Sequence, residues 1–429
     1  MTTAVTPATK RRFSLKRLSW VDIVLNILRV VIIAAVIIGS YNTIASGKYT
    51  ASQWVSLVMA GLAQGSIYAL IALGYTLVYG ILLMINFAHG EVYMAGAFTA
   101  YFVADWTAKS GLLASAPLVA IAIWFLVAML TSMGVAILLE RVAYRPLRGA
   151  PRLVPLITAI GASFFLQYTF RGFYGSGFKS YPEVPMLSGM VAVGPFDIPL
   201  VQIVVFVSAL ALMLVLYWLV ERTKMGKAMR AVSEDKEVSR LMGIDIDRVI
   251  VFTFAVGGVL AGAAGVINGL YRPQGVNFFM GFFPGIKAFT AAVLGGIGSV
   301  PGAMVGGLLL GIFESVGPNL VLDGLGISYN QLKDVIAFTM LVLVLIFRPQ
   351  GIMGEKLSEK KEGYMAENKG FDWQLPRWSV GRLDHRLAHW LDRHDRGLQR
   401  ASIVTGVVTM GQLLTSLPRH SWPAMGAVV

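Results

Sequence analysis

The chain has 429 residues, 56% of them hydrophobic and 14% charged, against roughly 25% charged in an ordinary soluble domain. That little charge cannot solvate the surface of so long a chain, so lipid must replace water around much of it. The 36 basic and 23 acidic residues leave a net charge of +13, an excess that membrane proteins keep in cytoplasmic loops and that needs no nucleic acid as partner. Cysteine is absent, which removes disulfides, cysteine-ligated metal centres and thiol catalysis.

A basic arm, residues 1–20, carries Lys10, Arg11, Arg12, Lys16 and Arg17 ahead of an apolar run at 21–39. The run is longer than the core of a signal peptide and no Ala-x-Ala site follows it. It reads as an uncleaved first span with its N-terminus inside. Asp22, Asn26 and Arg29 share one of its faces, and are expected either to snorkel at the cytoplasmic end or to touch a neighbouring subunit. At ~20 apolar residues per crossing, further spans are predicted at 54–84, 88–104, 117–139, 153–173, 198–220, 249–271, 283–297, 301–321 and 333–347. The 54–84 segment is long and interrupted by glycine, so it is expected to be tilted, broken or partly re-entrant. With both ends cytoplasmic, Arg141, Arg145, Arg148, Arg152 and the basic residues of 221–248 all fall inside, as the positive-inside rule requires. The expected fold is an all-α integral membrane protein of the bacterial inner membrane, a polytopic helical bundle of about eight to ten transmembrane helices over 21–347. From Arg348 to the end, 348–429, the composition turns charged, which marks a cytoplasmic C-terminal extension. In it Leu383, Leu387, Trp390, Leu391 and Leu398 recur at helical spacing, so an amphipathic helix is expected on membrane lipid or on a partner. His385 and His389 do not complete a zinc shell, and no metal or other cofactor is expected.

No G-x-x-x-x-G-K-[ST] motif occurs, so the chain is not itself a P-loop ATPase. Four of the five histidines lie in the extension, no catalytic constellation can be assembled, and no enzyme is expected. Gly257, Gly258, Gly262, Gly265 and the glycines from Gly295 to Gly311 are placed for close helix approach, either as tight packing alone or as surfaces that slide during gating. The turn from Gly295 to Gly302 breaks the chain between two spans. Polar groups within spans are costly and point to function; they are Gln64, Asn86, His89, Glu91, Gln167, Asn268, Lys287 and Glu314. The densest group, Asn86, His89 and Glu91, is expected where a long span ends on the cytoplasmic side. It reads either as a pathway lining or inner gate, or as an interfacial turn with Glu91 on the N-terminal dipole of the next helix. The loop from Gly226 to Ile244 is amphipathic, with Ala228, Met229, Val232, Leu241 and Met242 among charges. Ser233 ahead of Glu-Asp-Lys-Glu is expected to be an N-cap, in a short helix presented to a cytosolic protein.

Several runs resemble bacterial branched-chain amino acid permeases of ATP-binding-cassette importers. They are Gly61–Gly80 (GLAQGSIYALIALGYTLVYG), Ile85–Glu91 (INFAHGE), Glu140–Gly149 (ERVAYRPLRG), Pro155–Gly161 (PLITAIG), Lys287–Ser299 (KAFTAAVLGGIGS) and Arg348–Gly351 (RPQG). The resemblance implies a complex with ATP-binding cassette subunits, a second related permease subunit and a periplasmic solute-binding protein. ATP hydrolysis on the partners would drive translocation of branched-chain or related amino acids. It also implies that the loop matching 226–243 docks on the ATPase. The residues expected to serve are Asn86, His89, Glu91 and Lys287 for the substrate pathway, and Lys227, Arg230, Glu234, Asp235 and Gly243 for ATPase coupling. Val238, Ser239 and Arg240 stand where many relatives carry an alanine pair, and the family predicts no role for the arm or the extension. Competing readings are a urea or short-amide permease, and an ATP-independent channel or secondary transporter, which calls for paired intramembrane carboxylates.

Overall fold

The computed structural model describes residues 20–151, 153–272, 275–326, 334–335, 338–339, 342, 344 and 350–354. The basic arm, the side chains of Asp22, Asn26 and Arg29, most of the 333–347 span and the extension with its helix and histidine pair lie outside the described residues. The helices are α1 (Trp20–Ala45), α2 (Ala51–Leu82), α3 (His89–Lys109), α4 (Leu112–Ser115), α5 (Pro117–Leu139), α6 (Leu153–Tyr174), α7 (Leu200–Arg222), α8 (Lys224–Glu234), α9 (Lys236–Leu241), α10 (Ile246–Tyr271), α11 (Phe282–Gly295) and α12 (Val300–Gly317). Among the described residues six of these, α2, α5, α6, α7, α10 and α12, are long and apolar enough to cross a membrane. Val30–Ala45 of α1 and α11 are shorter apolar helices.

Two features refine the expected bundle. First, α2 is one unbroken helix of 32 residues, about 48 Å long at the α-helical rise. It starts on a capping box in which the Thr50 hydroxyl and the Gln53 side chain satisfy each other's backbone N–H. It stops at Leu83, whose φ of 55° turns the chain back. Its glycines are contact points: a Cβ on Gly61 would lie 2.8 Å from the Ile312 backbone of α12, and one on Gly65 2.8 Å from the Gly307 carbonyl. Second, within the all-α fold one loop departs from helix. The loop between α6 and α7 carries a hairpin, β1 (Met190–Val193) and β2 (Phe196–Pro199), paired from Met190↔Pro199 to Val193↔Phe196 around a Gly194–Pro195 turn.

The core is built from helices whose small residues let backbones meet, where lipid supplies no hydrophobic drive between them. α12 runs antiparallel to α2, with Gly307 on Ala69 and Gly311 on Gly65. α10 seats Gly258 against Ser132 and Met133 of α5, and Gly265 against Ala97 of α3. α11 and α12 form a hairpin in which Gly306 meets Ala291, and Ser299 caps α12 by accepting from Gly302 N–H at 3.1 Å. These contacts hold α2, α3, α10, α11 and α12 around the polar groups described next.

Candidate functional site: a buried turn, an ion cluster and a charged helical pair

The α2–α3 turn gathers three of the expected pathway residues. Asn86 is buried; its backbone carbonyl accepts from His89 N–H at 3.1 Å and its Oδ1 accepts from the Tyr144 hydroxyl at 2.5 Å. His89 opens α3 with its ring edge-on to Tyr75, centroids 5.0 Å apart. The ring fits a slot that the bare Cα atom of Gly74 leaves open, and its Nε2 has no hydrogen-bond partner among the described residues. Glu91 sits in the first turn of α3, 1% exposed. Its Oε1 accepts from Gln167 Nε2 at 2.6 Å and from Ser163 Oγ at 3.2 Å, both on α6. Its Oε2 has no hydrogen-bond partner among the described residues.

The neighbours of this cluster show how closely it is enclosed. Glu91 faces Ser163, halfway along α6. The next carbonyl, of Val92, accepts from Ser132 Oγ of α5 at 2.8 Å. Tyr144, the partner of Asn86, packs on Phe254 at 5.7 Å, about 12 Å along α10 from its start. The turn is therefore enclosed by α5, α6 and α10. Hydropathy cannot separate a polar turn at an interface from one closed in by other helices. Glu91 also borders a cavity of 220 Å³ between α2, α3, α6 and α11, walled largely by apolar side chains such as Phe87, Ile160 and Phe164.

Lys287 belongs to a different cluster. Its Nζ donates to Glu314 Oε1 of α12 at 2.7 Å and to Asp334 Oδ1 at 2.5 Å, and it lies 5.8 Å from the centre of the Tyr68 ring on α2. The structure thus joins Asn86, His89 and Glu91 and sets Lys287 apart from them. Arg272, one residue beyond α10, donates to Gln64 Oε1 at 3.0 Å. Sequence reasoning missed this pairing. The clue was Gln64, an amide within an apolar span that needed a partner.

On the charged side, the chain after α5 winds through a π-helical turn, Glu140–Tyr144, and a 3₁₀ turn, Arg145–Leu147. This places the fully buried Glu140 against the Arg148 guanidinium, which also reaches Asp247 in the first turn of α10. Arg145 donates to the other Asp247 oxygen at 2.7 Å. Beside this network, α8 and α9 replace the single helix expected. Asp235 has an extended backbone between them and caps α9 by accepting from Glu237 N–H at 2.8 Å and Val238 N–H at 3.0 Å. Ser233 is not the cap: its hydroxyl donates back to the Arg230 carbonyl at 2.7 Å. Gly226, Met229 and Val232 turn inward. Lys227, Arg230, Glu234 and Asp235 are exposed, Arg230 pairing with Glu221 of α7. Leu241 and Met242 are 86% and 78% exposed, just before Gly243, whose φ of +81° ends the pair. Burial, and next the Arg148 charge, hold the Lys236 ammonium below its usual pKa.

Apolar helices closed around buried polar side chains, with a charged helical pair at one end, define a multi-pass membrane protein of the transport type. A family model described as "Branched-chain amino acid transport system / permease component" matches residues 57–345, and the chain belongs to that family. It is 44% identical over 310 residues to the high-affinity branched-chain amino acid transport system permease protein BraD of Pseudomonas aeruginosa, covering 72% of this chain and 98% of that one. It is 42% identical over 305 residues to LivH of Escherichia coli, covering 70% and 95%. The autoinducer 2 import system permease protein LsrC of Yersinia pestis is 33% identical over 149 residues, 32% of this chain and 38% of that one.

Proposed function

We propose that this chain is the membrane-spanning permease subunit of an ATP-binding-cassette importer that moves branched-chain or related amino acids across the bacterial inner membrane. The observation that carries this reading is the collinear match to BraD over 98% of that protein's length. Energy would come from ATP hydrolysis on partner ATP-binding subunits. A second related permease subunit would complete the pathway, and a periplasmic solute-binding protein would deliver the substrate. Both termini face the cytoplasm in this reading, on the side of α8 and α9.

The pathway passes Asn86, His89 and Glu91, and Lys287 flanks it by tying α11 to α12. ATPase coupling falls to Lys227, Arg230, Glu234, Asp235 and Gly243, around the exposed Val238, Leu241 and Met242. Burying such apolar side chains on a partner contributes about 1.5–3 kcal/mol each, which an otherwise solvated helical pair leaves unused. The paired carboxylates that an ion-coupled transporter calls for are not formed by Glu91 and Glu314. Glu91 is hydrogen-bonded to Gln167 and Ser163, and Glu314 is ion-paired to Lys287.

The test is leucine uptake into proteoliposomes holding the assembled complex and its binding protein. Uptake that requires both ATP and the binding protein is expected. ATP-independent flux through this chain alone would overturn the reading in favour of a channel or secondary transporter.

A further inference from the structure

Where α7 runs into α8 the chain turns a tight corner. Thr223 interrupts the helix with extended backbone. Its hydroxyl donates to the Leu219 carbonyl at 2.6 Å and accepts from Gly226 N–H at 3.0 Å. A Cβ on Gly226 would lie 2.2 Å from the Val220 carbonyl oxygen, so glycine is what lets α8 start this close to the last turn of α7. The corner leaves a groove of about 690 Å³, lined among the described residues by Tyr217, Trp218, Glu221, Arg222 and Lys227. That is room for about twenty waters at ~30 Å³ each, far more than a lone ion needs.

The residues around the groove are layered by polarity. Trp218 and Arg222, like Tyr217 and Glu221, stand four residues apart on one face of α7, so a charge lies about 6 Å along the axis beyond each ring. Trp218 and Tyr217 are 61% and 44% exposed, and Val207, Leu214 and Val215 continue the outward face of α7 away from the charges. Aromatic rings between an apolar flank and cations mark the level at which hydrocarbon gives way to headgroups. Arg222 and Lys227 are both exposed, and neither makes an ion pair among the described residues. Glu221 adds no uncompensated negative charge, since Arg230 pairs with it. Lys227 also stands in the first turn of α8, whose N-terminal dipole is positive. The groove is thus cationic, at headgroup level and continuous with a lipid-facing flank.

We propose that this groove holds the headgroup phosphate of an anionic phospholipid from the leaflet on the side of α8 and α9. Arg222 and Lys227 supply charge-assisted hydrogen bonds to it, Tyr217 and Trp218 pack beside the glycerol, and an acyl chain lies along Leu214 and Val215. A free phosphate would use the two cations without the flank. The inference needs only that the chain spans a membrane and stands apart from the importer reading. Because Lys227 also belongs to the proposed ATPase contact, the readout is lipid retention and not transport.

The test is native mass spectrometry of the purified full chain, titrated with phosphatidylglycerol or phosphatidylcholine of the same acyl chains. Wild type is expected to bind phosphatidylglycerol about thirtyfold more tightly, the scale of two basic residues at an anionic surface. Arg222→Gln with Lys227→Gln should bring the two lipids level. Arg240→Gln with Arg248→Gln, which removes the same charge from α9 and α10, should keep the preference. Wild type without the preference leaves the groove to a protein and overturns the proposal. An equal loss in the two double variants also overturns it, because the preference would then follow net charge alone. Inorganic phosphate in excess at matched ionic strength should leave the lipid in place, and displacement would assign the cations to free phosphate instead. If the groove variant does not fold, the wild-type preference and the phosphate competition decide the matter alone.

Discussion

Helices α7 and α10 have similar lengths and are both strongly apolar, yet they occupy opposite places in the bundle. In its most apolar stretch α10 is 72% buried and α7 is 28% buried. α7 contains no glycine and presents Val207, Leu214, Val215 and Trp218 outward. α10 carries Gly257, Gly258, Gly262, Gly265 and Gly269, each with a neighbouring helix or loop pressed against it. In lipid an apolar side chain is equally at home on either side, so apolarity alone does not sort helices into core and rim. The small residues do, because they decide where two backbones approach closely enough for dispersion to hold them.

The largest effect expected from this contrast is at Gly311 of α12, where an added side chain meets the backbones of Gly61 and Gly65. Gly311→Leu is expected to cost more than about 3 kcal/mol, the upper end for overpacked cores, and to yield no monodisperse protein in detergent. Gly161→Leu on α6 faces open space and is expected to stay within about 0.5 kcal/mol of wild type. Equal thermal melts for the two variants would break the comparison. Next comes Lys287→Met, which strands the buried Glu314 carboxylate and is expected to cost about 3–5 kcal/mol. Lys287→Met with Glu314→Gln should recover most of that loss in the same melt. Failure to recover it would mean that packing, not charge, holds α11 to α12.

Much of the bundle was legible because an apolar run of crossing length is a strong signal. The expected 117–139 span is α5, and 249–271 falls within α10. What escaped the sequence was decided by partners far along the chain. The glycines of α2 read as interruptions until α12 is laid against them. The α2–α3 turn read equally as a pathway lining or as an interfacial turn because its residues are polar, and only Ser163, Ser132 and Phe254 show it enclosed. Lys287 and Glu314 are 27 residues apart on two helices of a hairpin, beyond any local periodicity. The cap on α9 was misplaced by two residues because Ser233 and Asp235 are both good N-caps, and the break at Asp235 decides between them.

A smaller effect separates two arginines that share one carboxylate. Arg148→Met leaves Glu140, which is fully buried, without its cation and is expected to cost about 2 kcal/mol. Arg145 is half exposed, as is Asp247, so Arg145→Met is expected to cost at most about 1 kcal/mol. The difference, read from melts at matched salt, measures the burial of Glu140 rather than the number of ion pairs. If raising the salt closed the gap, the Glu140–Arg148 pair would be behaving as a surface pair.

The smallest effect on the chain itself is expected on α8 and α9, and there stability and function should part. Leu241→Ser removes a side chain that touches little within this subunit, so the melt should move by less than about 0.5 kcal/mol. Arg230→Glu sets a like charge beside Glu221 at a solvated surface, where exchanging attraction for repulsion is worth about 1 kcal/mol or less. Either variant should nevertheless lower ATP-driven leucine uptake, because it alters a surface with few contacts of its own to protect. The apolar interior gives the opposite pattern, in which any loss of transport follows from loss of fold. Unchanged uptake in both variants would place the ATPase contact elsewhere. An uptake defect that tracked the melt would make α8 and α9 part of the scaffold, with no coupling role.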